Sequence, residues 1–161
     1  ILSCLVGSEM CIRDRAEATA SLQGRPWRGP DLWPQWIDQP SQDGTIAEIV
    51  ANLLENAFRY SPAGCSVGLC LLPDGLCVWD NGPPIPLEER DLIFERGARG
   101  STGQDRAGTG LGLALARSLA EQQGRKLTLC VEPSTIAPDL PAQGNAFVLS
   151  WPAGARPDPT T

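Results

Sequence analysis

The chain has 161 residues, of which 42% are hydrophobic and 20% charged, with a formal net charge of −6. That length supports one domain with a core of its own, the acidic balance argues against nucleic-acid binding, and no apolar run approaches the roughly 20 residues that span a bilayer. There is no histidine, and the six cysteines form no Cys-x-x-Cys pair, so zinc sites and Ser-His-Asp or Cys-His catalysis are disfavoured.

Residues 1–15 show neither helical nor strand periodicity. Within them Leu5 to Asp14, LVGSEMCIRD, resembles the translation of a transposase-type sequencing-library adapter. Residues 1–15 are therefore expected to pack against nothing, and natural sequence upstream is expected to have been lost. Residues 16–24 are Ala-rich and helix-prone, the expected remnant of an upstream helix or a linker. The folded domain is expected over 25–153, with 154–161 a disordered tail. Its first stretch, Arg25 to Pro40, is rich in Trp and Pro and reads as extended, with one or two short edge strands.

A helix is expected from Thr45, where Thr45 and Glu48 make a capping box, to Ser61-Pro62. Ile46, Ile49, Val50, Leu53, Leu54 and Ala57 recur at three- and four-residue steps and mark its buried face. Two strand-like runs follow, Ser66 to Leu72 and Leu76 to Asp80, joined by a turn at Pro73-Asp74-Gly75. A Pro-rich bend leads to a short helix over Leu87 to Glu95. The Gly-rich stretch Arg96 to Ala107 lacks periodicity and reads as a mobile loop. A second strong helix runs from Gly110 to Gln123, ending on Gly124. Lys126 to Glu132 and Ala146 to Trp151 read as the last strands. Cys70, Cys77 and Cys130 sit in apolar strand-like runs, as small buried hydrophobes do in a reducing compartment. Mixed elements without regular βαβ alternation favour an α+β fold: a two-layer α/β sandwich with one mixed sheet and helices on one face.

Three features carry polar chemistry. On the first helix, Asn52 and Asn56 share a face opposite the apolar stripe. Asparagine is a poor helix former, so the pair reads as a functional site or as a solvated polar face. Asp80-Asn81-Gly82 ends an apolar strand with a carboxylate that can accept a hydrogen bond from a purine amine; an ordinary turn would have the same residues. Gly108-Thr109-Gly110-Leu111-Gly112 opens a helix, where free N–H groups attract phosphate. It is neither a Walker loop nor a Rossmann fingerprint.

Their order and spacing together are more specific. Asn-Leu-Leu-Glu-Asn-Ala-Phe-Arg-Tyr, then Asp-Asn-Gly, then Leu-Ile-Phe-Glu-Arg, then Gly-Thr-Gly-Leu-Gly-Leu resembles the Bergerat-fold (GHKL) ATPases over Thr45 to Trp151. Within them the sequence is most similar to the catalytic and ATP-binding domain of sensor histidine kinases. The resemblance implies ATP and Mg²⁺ as cofactors. It implies that Asn56 offers its amide oxygen to the metal, with Asn52 beside the phosphates and metal and Arg59 near the phosphates. These three would form the catalytic set. Tyr60 would line the nucleotide, Asp80 would accept the adenine amine hydrogen, and Gly82, Pro84 and Ile85 would form the adjoining wall. Phe94 and Arg96 match a Phe-containing box bordering a lid that would include Arg99. Gly108, Thr109, Gly110, Leu111 and Gly112 would wrap the phosphates.

The chain departs from the family pattern twice. Pro84 stands where the family has a second glycine, and the phosphoacceptor histidine box is absent. The implied activity is transfer of the γ-phosphoryl of ATP to a histidine on a separate dimerisation hairpin, with a response regulator downstream. The implied setting is cytoplasmic, without nucleic-acid or membrane contact by this piece. Alternatives are a gyrase- or chaperone-type ATPase, an anti-sigma-type serine kinase, and a non-catalytic nucleotide-binding module. The gyrase and chaperone types carry a water-activating Glu where this chain has Asn52, and Asn is no base near neutral pH.

Overall fold

A computed structural model of the chain describes residues 12–34, 45–95 and 112–152. Helix α1 (Ile12–Gln23) begins inside the stretch expected to pack against nothing. That expectation fails at Ile12, which is 7% exposed and belongs to the main core with Ala16 and Ala20. The reason is periodicity: Ile12, Ala16 and Ala20 stand four apart, and Ile12 extends one buried stripe across the 15/16 boundary. Residues 1–11 lie outside the described residues. Helix α1 also carries its own stop. Gly24 takes φ 62°, its N–H donates to Ser21 O, and the Arg25 N–H donates to Ala20 O. That pairing is a Schellman cap.

Strand β1 (Trp27–Arg28) is the short edge strand expected from the Trp/Pro stretch, and Trp27 stacks on Phe58 at 6.0 Å. Helix α2 (Thr45–Tyr60) buries the whole expected stripe. Ile49, Val50 and Leu53 are fully enclosed, and burial of each such side chain is worth about 1.5–3 kcal/mol.

Strands β2 (Val67–Leu72) and β3 (Gly75–Asp80) form the expected hairpin. Residues 87–95 are not one helix. They form two 3₁₀ turns, Leu87–Glu89 and Leu92–Phe94. Leu87 and Leu92 are exposed and Ile93 is buried, too small an anchor to offset the cost of nucleating an α-helix. Helix α3 (Gly112–Gln122) packs on α2 and ends in a second Schellman cap at Gly124, φ 72°. Strands β4 (Lys126–Cys130) and β5 (Asn145–Ser150) complete the sheet.

The sheet order is β1-β2-β3-β5-β4. The β1/β2 pair is parallel and the others are antiparallel. Strand alternation divides the side chains between two faces. Val67, Leu69, Leu76, Val78, Leu127, Phe147 and Leu149 pack into the main core with the helices. Cys77, Trp79 and Ala146 form a smaller cluster with Leu140, against which Cys70 and Cys130 pack. Burial pushes the Cys77 thiol up to about 12, so it behaves as the small hydrophobe expected. The architecture is the α+β two-layer sandwich expected.

Candidate functional site

The register of β3 and β5 places Asp80 opposite Asn145, at the sheet end nearest the α2 C-terminus. This pairing needs a glycine before β5. Gly144 takes φ 155°, and a Cβ there would run into the Asp80 carbonyl oxygen.

Asp80 is 5% exposed. Its Oδ1 accepts hydrogen bonds from the Gly82 N–H (2.9 Å) and from Asn145 Nδ2 (3.4 Å). Burial pushes its carboxyl above the ordinary 3.8, while those two donors and the charge of Arg25 act in the opposite direction. Among the described residues no Lys or Arg stands within salt-bridge distance of it. Gly82 is required by close approach: a Cβ there would lie 3.0 Å from Asp80 Oδ1 and 3.0 Å from Pro62 Cδ.

Two residues that the sequence reading passes over hold this corner. Asn145, 7% exposed, donates from Nδ2 to Pro83 O (2.9 Å) and accepts at Oδ1 from the Ile85 N–H (2.8 Å). Arg25, also 7% exposed, donates to Ser61 Oγ (2.6 Å), Ser61 O (3.2 Å) and Pro62 O (2.9 Å). Its guanidinium lies 5.8 Å from the centre of the Phe58 ring. Arg25 thereby fixes the chain leaving α2, where Ser61 and Pro62 face the Asp80 corner.

A small cavity of ≈ 40 Å³ opens between these parts, lined by Asn56, Tyr60, Ser61, Pro62, Asp80, Pro83, Ile85, Asn145 and Phe147. Four residues singled out by sequence, Asn56, Tyr60, Asp80 and Ile85, therefore meet at one place. Asn52 is half-buried one turn earlier on α2 and does not line the cavity. Among the described residues no hydrogen bond engages the side chain of Asn52 or Asn56. Arg59 pairs with Glu55 at 2.9 Å and borders a separate groove of ≈ 630 Å³ between α1 and α2. Pro84 is exposed and lies off the cavity, between two residues that line it.

Phe94 is half-buried and meets Phe147 edge-on at 6.1 Å, so it supports the cavity wall through that ring. The Arg117 guanidinium packs over it at 5.1 Å. Gly112 opens α3, with nothing within 4 Å of where a side chain would begin. Arg96, Arg99, Gly108, Thr109, Gly110 and Leu111 lie outside the described residues.

The arrangement can present a hydrogen-bond acceptor to a ligand. It offers a buried carboxylate whose second oxygen no described residue engages, a glycine that keeps the approach open, and uncommitted carboxamides on the neighbouring helix.

Residues 42–155 match the profile of the family described as histidine kinase-, DNA gyrase B- and HSP90-like ATPase. The chain belongs to that family. Its relatives include the sensor histidine kinase Hik2 of Thermosynechococcus vestitus, 35% identical over 152 residues that cover 89% of this chain and 37% of that one. The sensor protein KdpD of Escherichia coli is 34% identical over 121 residues, 72% of this chain and 13% of that one. The chain thus spans well under half the length of either relative. Among solved structures, the mycobacterial sensor histidine kinase MprB gives a TM-score of 0.61 at 26% identity, covering 86% of this chain and 91% of that one. The catalytic domain of histidine kinase ThkA gives 0.57 at 20% identity, covering 88% and 91%, a likeness of fold. The resemblance to histidine-kinase ATPase domains therefore holds, and ATP is the nucleotide such a domain binds. The anti-sigma-type alternative is not favoured.

Proposed function

We propose that this domain binds Mg-ATP and donates its γ-phosphoryl to a histidine on a separate dimerisation hairpin of the parent kinase. A phosphorus–nitrogen bond forms, the bond to the β-phosphate oxygen breaks, and ADP leaves; the phosphoryl group then passes to a response regulator. The observation that carries the reading is the meeting of Asp80 with the Asn56 face of α2 at one cavity.

In this reading the free oxygen of Asp80 accepts a hydrogen bond from the adenine amine, and Gly82 and Ile85 form the wall beside the ring. Asn56 offers its amide oxygen to Mg²⁺, a hard cation that binds through few protein oxygens together with phosphate oxygens and water. Among the described residues no group of three or more His, Cys, Asp or Glu could hold a metal ion. Bound at Asn56, Mg²⁺ would neutralise charge on the phosphates. Arg59 adds positive charge to the same helix, and Asn52 supplies no base to activate water. The phosphate end is assigned to Gly108, Thr109, Gly110, Leu111 and Gly112, with Arg96 and Arg99 in the preceding loop. The domain acts in the cytoplasm, touching neither nucleic acid nor membrane. No helix among the described residues is long and apolar enough to cross a bilayer.

The test is phosphotransfer from γ-labelled ATP and Mg²⁺ to the purified hairpin of a sensor kinase relative. Labelled hairpin histidine is expected with the wild-type chain and none with Asn56→Ala, alongside very slow hydrolysis by the chain alone. Fast hydrolysis without a hairpin would count against the kinase reading and for a chaperone-like ATPase.

A further inference from the structure

The bend from Asn81 to Pro86 contains Pro83, Pro84 and Pro86, so half of its six residues have no N–H to donate. Neither helix nor strand covers it, and side chains do most of the work of holding it. Of its three N–H groups, Asn81 reaches Ser66 O (3.2 Å), Gly82 reaches Asp80 Oδ1 (2.9 Å), and Ile85 reaches Asn145 Oδ1 (2.8 Å). The Pro83 carbonyl accepts from Asn145 Nδ2 (2.9 Å) and the Ile85 carbonyl from Arg90 Nε (3.0 Å). Asn145 makes two of these ties with one carboxamide, and the same Nδ2 reaches Asp80 Oδ1 at 3.4 Å. It is buried and sits on β5 directly opposite Asp80, so its backbone is fixed by the strand pairing.

We infer that Asn145 is a positioning residue for nucleotide binding: its single carboxamide holds the Asp80 carboxylate and the Pro83–Ile85 wall in one fixed relation before the base arrives. Donor and acceptor are both needed, a few ångströms apart and in one plane. Asparagine supplies them, whereas aspartate lacks the donor and leucine lacks both. The inference also accounts for Pro84. Where the family pattern has a glycine, this chain has an exposed proline whose two neighbours are tied to Asn145. The geometry of the wall is set by a side chain on the next strand rather than by glycine torsions.

The inference rests on reading the Asp80 corner as the adenine end, and its test separates the two. The full chain is titrated calorimetrically with ADP and with the analogue that lacks the exocyclic amine, purine riboside diphosphate. Wild type is expected to prefer ADP, and Asp80→Asn to lose that preference. Asn145→Leu and Asn145→Ser are each expected to cut the preference about tenfold, the scale of one hydrogen bond to a charged group. A residue that only supports folding would lower the melting temperature and weaken both ligands equally, leaving their ratio intact. An unchanged ratio in both variants, with Asp80→Asn still abolishing it, overturns the role of Asn145 alone. An Asp80→Asn chain that keeps the preference overturns the adenine reading and this inference with it. Should Asn145→Leu fail to fold, the smaller polar serine variant carries the comparison. Faster hydrogen exchange at the Ile85 amide in that variant is then required, and unaltered exchange counts against the inference.

Discussion

Replacing Asp80 by asparagine changes one atom and reverses the chemistry of the site. In the wild-type chain Oδ1 takes both internal donors, the Gly82 N–H at 2.9 Å and Asn145 Nδ2 at 3.4 Å. The second oxygen is left for a ligand donor. The asparagine side chain has one oxygen and one NH₂. If the oxygen stays with Gly82 and Asn145, the NH₂ faces the adenine amine, donor against donor; if it turns round, the same clash falls on Gly82. Losing a hydrogen bond to a charged acceptor costs about 1.5–3 kcal/mol, so the Kd for ADP should rise roughly 10- to 150-fold. Folding should move the other way. Burial makes the ionised carboxylate costly, as its upward shift records, and a neutral amide of the same shape escapes that cost. The apo variant should therefore melt no lower than wild type while binding ADP more weakly. Calorimetry and a thermal melt on the same sample check both halves. Unchanged ADP affinity in a folded variant would refute the adenine assignment.

The same shift fixes a pH dependence. Because burial raises Asp80 above 3.8, the stability contributed by its protonated form is fully present below 3.8 and is lost as pH rises through the folded-state value. ADP affinity should follow the ionised form and fall as pH drops through that value; the difference between wild type and Asp80→Asn isolates both effects, and parallel curves for the two proteins would contradict them. Arg25→Met should cost about 2–3 kcal/mol in denaturant unfolding, because the Ser61 and Pro62 acceptors lose their buried donors; a loss below about 0.5 kcal/mol would mean that water replaces the guanidinium. Ile12→Ala should cost about 2 kcal/mol, the low end for truncating a buried isoleucine, and an unaltered melting temperature would restore the expectation that this stretch contributes nothing.

The sequence was readable wherever one element carried its own pattern. The apolar stripe of α2 needs only a 3.6-residue period, and every residue read into it is buried. The β2/β3 hairpin and the Gly124 stop are equally local. Two errors came from patterns cut short. Ile12 looks foreign when residues 1–15 are judged by themselves, and its four-residue step to Ala16 appears only when the boundary is ignored. The turns at 87–95 carry helix-forming residues, but a helix also needs a buried face, and only the fold reveals that Leu87 points to solvent.

Asn145 and Arg25 were illegible for a different reason. Each is a polar residue that no local pattern explains, and each acts on something distant in the chain. Asn145 meets Asp80 across 65 positions and Arg25 meets Ser61 across 36. A buried polar side chain is tolerated when its partners are in place, so its meaning lies in the pairing and not in the residue. The two also act on Asp80 differently. Both lower the cost of ionisation, Asn145 by its hydrogen bond and Arg25 by its charge, but Asn145 also ties the carboxylate to the wall after β3, whereas Arg25 fixes the chain after α2. Loss of either should therefore leave the carboxylate harder to ionise, and loss of Asn145 should also disturb where it points. In a pH titration of ADP binding the Asn145→Leu variant should lower the plateau affinity at neutral pH and also move the midpoint to higher pH, because the carboxylate loses a donor. Arg25→Met should move the midpoint in the same direction, because an Asp80 without that neighbouring positive charge holds its proton more tightly. An Arg25→Met midpoint equal to that of wild type would mean that the arginine only shapes the corner and does not tune it.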